Sequence, residues 1–220
     1  MVKHECRNQS SRNIAIHAVD IRFTDRSGPH IMNYATERAK LRPLRADDAR
    51  ISEKWRNDPE VRDPSLGFRF PVTAAMEDRW IAGVLLPDDN TRVVFAVEDA
   101  TDDVLVGFVY LQDIDWIARH AAFGVLLGDR SRHGRGIGTD ALRIMLRFGF
   151  EMLNLQKIYL SVAAYNTRAL KLYEREGFRH DGTLRRHVFL DGAYHDLVQM
   201  SFLLDEYKAH PAQKDQSHDQ

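Results

Sequence analysis

The stretch that most constrains this chain is His133-Gly134-Arg135-Gly136-Ile137-Gly138-Thr139. An apolar run, Ala121 to Leu127, leads into it, and an amphipathic pattern from about Thr139 to Leu153 leads out. A strand, a glycine-rich turn and a helix start together form an anion site. Glycine lets backbone N–H groups approach a phosphate without Cβ interference, and the helix start adds unpaired donors and the positive end of the peptide dipole. No G-K-[ST] ends the turn, so it is not a phosphate loop of the nucleotide-hydrolase type. The turn is expected to hold a pyrophosphate, and the rest of the chain to position a reaction beside it; a tight strand-to-helix connection with no ligand is the alternative.

At 220 residues the chain suits one domain with tails. A formal net charge of −1 gives no bulk attraction for nucleic acid. Cys6 is the only cysteine, so no internal disulfide can form, which fits a reducing cytoplasm. No apolar run is long enough to span a membrane. Residues 1–38 read as a polar extension with Met32 as an alternative start, 39–207 as the compact domain, and 208–220 as a polar tail.

Leu41 to Leu44 reads as a strand, followed by a helix to about Trp55, a loop over 59–71, and a helix over 73–84 capped by Thr73, with Met76, Trp80 and Val84 on one face. Runs near 93–97, 104–111 and 119–127 form an antiparallel meander. The helix after the glycine turn should face the sheet with Ala141, Ile144, Met145, Phe148 and Met152. A strand over 157–162, a helix over 166–176 stopped by Gly177, and strands broken at Asp191-Gly192 complete the chain. Strands grouped ahead of the central helix predict a mixed α/β sheet rather than a doubly wound parallel one.

The second constellation runs from Tyr165 to Phe178. Asn166 can cap its helix, and Tyr173 lies two turns further on nearly the same face. A phenol can protonate a basic leaving group such as a thiolate; equally, its ring can pack in the core with its hydroxyl bonded to backbone.

Together these constellations, with Leu41-Arg42-Pro43-Leu44, Ala121-Ala122-Phe123-Gly124-Val125, and Phe189 to Gly192 followed by Tyr194, resemble the GNAT superfamily of N-acetyltransferases over about 39–207. The nearest likeness is to the bacterial spermidine, ribosomal-protein and nucleotide-amino-sugar branch. The resemblance implies acetyl-CoA as donor and a mostly antiparallel sheet with two splayed parallel strands. Val125, Leu126 and Leu127 would pair with the pantetheine. His133, Gly134, Arg135, Gly136, Ile137, Gly138 and Thr139 would hold the pyrophosphate, Asn166 and Ala169 would border the donor arm, and Tyr173 would be the general acid. His133 replaces the Gln or Arg that usually opens the turn, and Ala122 stands where the spermidine enzymes often carry glutamate. Asp113, Asp115 and His120 are substitutes for that missing base.

The acceptor would meet Arg62, Arg69, Asp113, Asp115, Trp116 and Arg119. Their arginine and aromatic content favours an amine on an anionic molecule, such as a nucleotide-linked amino sugar, over a free polyamine. The implied activity is acetyl transfer to a primary amine of a small molecule by direct attack in a ternary complex. A protein N-terminal acetyltransferase and a non-catalytic acyl-CoA-binding module are the alternatives. No metal, nucleic acid or membrane partner is expected, a cytoplasmic location is, and homo-oligomerisation stays open.

Overall fold

The computed structural model describes residues 34–66, 69–87 and 89–210. The expectations for the arm up to Met32 and for 211–220 lie outside the described residues. The chain builds a seven-stranded sheet ordered β1-β2-β3-β4-β5-β7-β6. The strands are β1 (Ala39–Arg42), β2 (Val93–Asp99), β3 (Val104–Asp115), β4 (His120–Leu127), β5 (Lys157–Ala163), β6 (Arg179–Leu190) and β7 (Ala193–Leu203). The helices are α1 (Ala49–Asn57), α2 (Pro59–Arg62), α3 (Ala74–Leu85), α4 (Ile137–Arg147), α5 (Thr167–Arg175) and α6 (Leu204–Ala209). Among the described residues, no helix is long and apolar enough to cross a membrane.

Short connections make β2, β3 and β4 an antiparallel meander, as their alternating apolar residues require. The parallel pair β4 and β5 is in register only over His120–Ala122 and Lys157–Tyr159. Beyond Ala122 the two strands separate, because β4 follows β3 while β5 stays paired with β7. This parting of the sheet creates the site.

The core divides between the two faces. One cluster joins Val109, Leu111 and Phe123 to Ile137, Ala141, Ile144 and Met145 of α4, and to Tyr173 and Phe178. The other joins Ala96 and Phe108 to Ala49 of α1 and Ile81 of α3. Tyr34 packs on Phe95 and Phe148, so ordered contacts begin ahead of β1.

Four local expectations are corrected. Met152 is exposed, because a π-turn over Phe148–Met152 bonds Leu153 N–H to the Phe148 carbonyl and brings Leu153 to the core instead. The buried face of α3 is Glu77 and Ile81, whereas Met76 is exposed. Thr73 does cap that helix. Residues 59–62, expected as loop, form α2, capped by Asp58 accepting from Glu60 N–H. Strand β6 runs twelve residues, far longer than its apolar tip. It is an edge strand with mostly exposed side chains, so it carries no hydrophobic alternation to read.

Candidate active site

Where β4 and β5 part, a cleft of about 1280 Å³ opens between them and runs to the start of α4. Val125, Leu127, His133, Gly134, Gly136, Ile137, Gly138, Thr139, Asn166, Ala169 and Tyr173 all line it. Backbone polarity follows from register. Gly128 N–H donates to the Val106 carbonyl, in phase with the Leu126–Phe108 pairing, so even-numbered residues of β4 spend their backbone groups on β3. Odd-numbered residues, Phe123 and Val125 among them, turn N–H and C=O toward the gap, where an amide-bearing ligand could complete the ladder. Leu126 is therefore not a cleft residue. Its side chain packs with the aromatic residues on the other face.

Gly136 caps α4 with φ +86°. That left-handed conformation favours glycine. The helix start then presents the N–H groups of Ile137, Gly138 and Thr139, which have no intrahelical acceptor. Arg38 lies against this turn: a Cβ on Gly136 would come within 3.1 Å of its side chain. Arg38 was not anticipated, since it sits in the stretch assigned to the extension. Arg130, Arg143, Arg168, Lys171 and Arg175 add positive charge to the cleft wall, and Glu60 is the lone carboxylate among its described lining residues. On α5 the cations Arg168, Lys171 and Arg175 recur at helical spacing, a sequence signal that could have found them.

Two expectations for the turn change. The Leu127 carbonyl can only accept, so His133 Nε2 carries the proton and donates to it at 3.1 Å, fastening the turn to the end of β4. The Arg135 side chain does not line the cleft and lies 3.8 Å from Asp99. The main anchor is Arg132, which donates to Asp99 (2.7 Å), to both oxygens of Asp102 (2.9 and 2.8 Å) and to Asp129 (3.1 Å). The Thr101 hydroxyl and N–H, then Arg132, hold Asp99 down at about 2.

Tyr173 is buried on the α4 and α5 side of the sheet, and its hydroxyl makes no hydrogen bond among the described residues. The backbone-bonded alternative therefore does not hold. Burial pushes its pKa upward, with Tyr110 adding to the shift. Tyr110 comes from the opposite face and lines the same opening, so the two phenols approach through the parted sheet. Tyr110 was missed because a tyrosine in an apolar strand looks like core.

Asn166 Oδ1 accepts from Ala169 N–H as a cap, while its Nδ2 donates to the Pro64 carbonyl. Tyr165 donates to the Asp63 carbonyl. Residues 63–66 thus form a strap tied to the start of α5 across the cleft.

The acceptor candidates do not gather in the cleft. Arg62 pairs with Asp63 and walls a smaller adjoining chamber, and Arg69 leans on Asp63 at 3.6 Å. Asp115 accepts from Ile117 and Ala118 N–H, Trp116 donates to the Asn90 carbonyl, and Arg119 donates to Asn154. Asp115 thus closes the β3–β4 turn on itself, while Trp116 and Arg119 tie that turn to the segments ahead of β2 and β5. Asp113, at φ +52°, lies within β3, where the register with β4 shifts between Gln112 and Asp115. His120 meets Tyr159 edge-on with Nδ1 unpartnered among the described residues, two residues from Ala122.

The Acetyltransferase (GNAT) domain family matches residues 38–179, so the chain belongs to the GNAT acetyltransferases. Spermidine N(1)-acetyltransferase of Vibrio cholerae is 38% identical over 167 residues, 76% of this chain and 94% of that enzyme. The Escherichia coli enzyme of the same name is 31% identical over 170 residues, 77% and 88% of the two chains. The crystal structure of the Vibrio cholerae enzyme in complex with CoA and spermine superposes with a TM-score of 0.72 at 29% identity, covering 79% of this chain and 99% of that one. The protein is an N-acetyltransferase of the acyltransferase class, and acetyl-CoA is its donor. The forked strands, the left-handed glycine cap and the basic wall fit that donor.

Proposed function

We propose that this enzyme acetylates a primary amine of a small molecule, with donor and acceptor bound together and the amine attacking the thioester directly. The observation that carries this reading is Tyr173: a buried phenol with an unengaged hydroxyl where the cleft passes through the sheet. In this reading the residues 134–139 hold the pyrophosphate and the exposed edge of β4 aligns the donor arm. The Val125 N–H polarises the carbonyl as negative charge develops on it. As the tetrahedral adduct collapses and the C–S bond breaks, Tyr173 gives its proton to the departing thiolate. The amine nitrogen sheds one proton to solvent as it becomes the amide, and solvent returns one to Tyr173. Fixing both reactants in one opening supplies much of the rate. The strap from 63–66 to Tyr165 and Asn166 bridges the cleft, which supports a compact acceptor over an extended peptide.

A thiol-release assay with acetyl-CoA tests this against spermidine, amino sugars, nucleotide-linked amino sugars and N-terminal peptides. The expected result is turnover on one or more small amines and none on peptides. Turnover confined to peptides would instead favour the protein N-terminal reading. Binding of acetyl-CoA with no turnover on any amine would favour a non-catalytic module.

A further inference from the structure

Beside the cleft, on the α1 and α3 side of the sheet, lies a second chamber of about 170 Å³. It shares Tyr110, Ser65 and Leu66 with the cleft and ends on Arg56, Arg62 and Trp80. No carboxylate occurs among its described lining residues.

Arg56 is held in a defined pose. Its Nε lies 3.3 Å from Glu77, a carboxylate only 1% exposed that also accepts from the Ser52 hydroxyl. Its guanidinium stacks over the Trp80 ring at 4.5 Å. Trp80 in turn meets Phe108 edge-on. The two Nη groups of Arg56 donate to no described residue, and their charge is felt at Tyr110, whose hydroxyl it acts to acidify against the larger effect of burial. A buried carboxylate that fixes Nε leaves the forked end of a guanidinium free, and that fork matches a carboxylate or phosphate.

We propose that this chamber is the specificity pocket for the acceptor, and that it takes an anionic group, carboxylate or phosphate, carried by the same small molecule whose primary amine is acetylated. The order Arg56, Tyr110, Tyr173 runs from the anion-binding end to the acid, so an amine a few bonds from its anion reaches the thioester. A polyamine would place a second ammonium against Arg56. Glu77 and Trp80 are positioning residues that hold Arg56. This assignment rests on the small-molecule reading above and narrows it.

Matched pairs of amines test it: putrescine against 4-aminobutanoate, ethanolamine against O-phosphoethanolamine, and glucosamine against glucosamine 6-phosphate. The anionic member of one or more pairs should have a kcat/KM at least tenfold higher. Arg56→Gln should raise KM for that substrate about ten- to a hundredfold, the range for loss of a charge-assisted hydrogen bond. The KM for the neutral partner should change much less, so that the anionic member loses its advantage within each pair. Arg56→Lys, which keeps a cation beside Glu77, should give an intermediate KM and serves if Arg56→Gln fails to fold.

Equal use of both members in every pair, or a preference that survives both Arg56 variants, overturns the pocket assignment and leaves small-molecule acetylation intact. Turnover on no small amine overturns the underlying reading instead. In that case calorimetric titration of O-phosphoethanolamine and 4-aminobutanoate into CoA-saturated protein still decides the pocket. Binding abolished by Arg56→Gln supports it, and no binding overturns it.

Discussion

The Tyr110 ring lies across the backbone of Gly124, its register partner on β4, so closely that a Cβ at position 124 would overlap the ring and its hydroxyl. This contact lets the tyrosine reach the opening between the cleft and the smaller chamber. Gly124→Ala should displace Tyr110, destabilise the fold by about 1–3 kcal/mol as overpacking does, and raise the acceptor KM more than the acetyl-CoA KM. Denaturant titration and steady-state kinetics check this. A variant with unchanged acceptor KM would remove Tyr110 from the acceptor path.

Tyr173→Phe should lower kcat by about a hundredfold, the lower end of general-acid effects, while changing acetyl-CoA affinity little. Burial raises the phenol pKa, so the group keeps its proton above its ordinary value near 10. The wild-type rate should then rise with pH as the acceptor amine deprotonates, with no falling limb from Tyr173 below about pH 10. A pH–rate profile with the chemical step limiting measures both, and unchanged turnover in the variant removes Tyr173 from the acid role.

Gly136→Ala forces a side chain into a left-handed conformation at a cost of about 1–2 kcal/mol and brings a Cβ against Arg38. The acetyl-CoA dissociation constant should rise about tenfold. Equilibrium titration reads this directly, and normal affinity would displace the pyrophosphate from this turn.

The Arg132 anchor predicts an acid sensitivity. Asp99, Asp102 and Asp129 all have lowered pKa values, Asp99 to about 2. A lowered carboxylate pKa favours the folded state above its ordinary value near 3.9, and that contribution is lost as pH falls toward 2. Thermal midpoints should therefore drop steeply between about pH 4 and pH 2. In Asp99→Asn the drop should be shallower, with a lower midpoint at neutral pH. An Asp99→Asn curve parallel to wild type would count against the anchor.

Asn166→Ala removes both the α5 cap and the bond to Pro64. It should cost about 1 kcal/mol of stability, as lost caps do, and loosen the strap. Faster proteolysis near residues 63–66 together with a higher acceptor KM would show that loosening. Protection equal to wild type would show that Tyr165 alone holds the strap.

The order of strands and helices was legible because most elements bury one face and so carry its period in their residues. The glycine turn was legible because a left-handed cap at a helix start favours glycine. Where burial did not enforce a pattern, the sequence misled. Strand β6 lies exposed at an edge, the π-turn slipped the stripe from Met152 to Leu153, and α3 turned a glutamate inward.

The cleft wall proposed for the donor was thus written in the sequence, as a strand, a glycine turn and two helix starts close together in the chain. The chamber proposed for the acceptor was decided by tertiary structure. Asp115, Trp116 and Arg119 looked like site residues but are spent on contacts within the hairpin turn or from it to Asn90 and Asn154, whereas Arg56, Trp80 and Tyr110 meet only when α1, α3 and β3 pack. Local backbone requirements leave a mark on neighbouring residues. A chamber walled by side chains from distant segments leaves none until the sheet parts between β4 and β5.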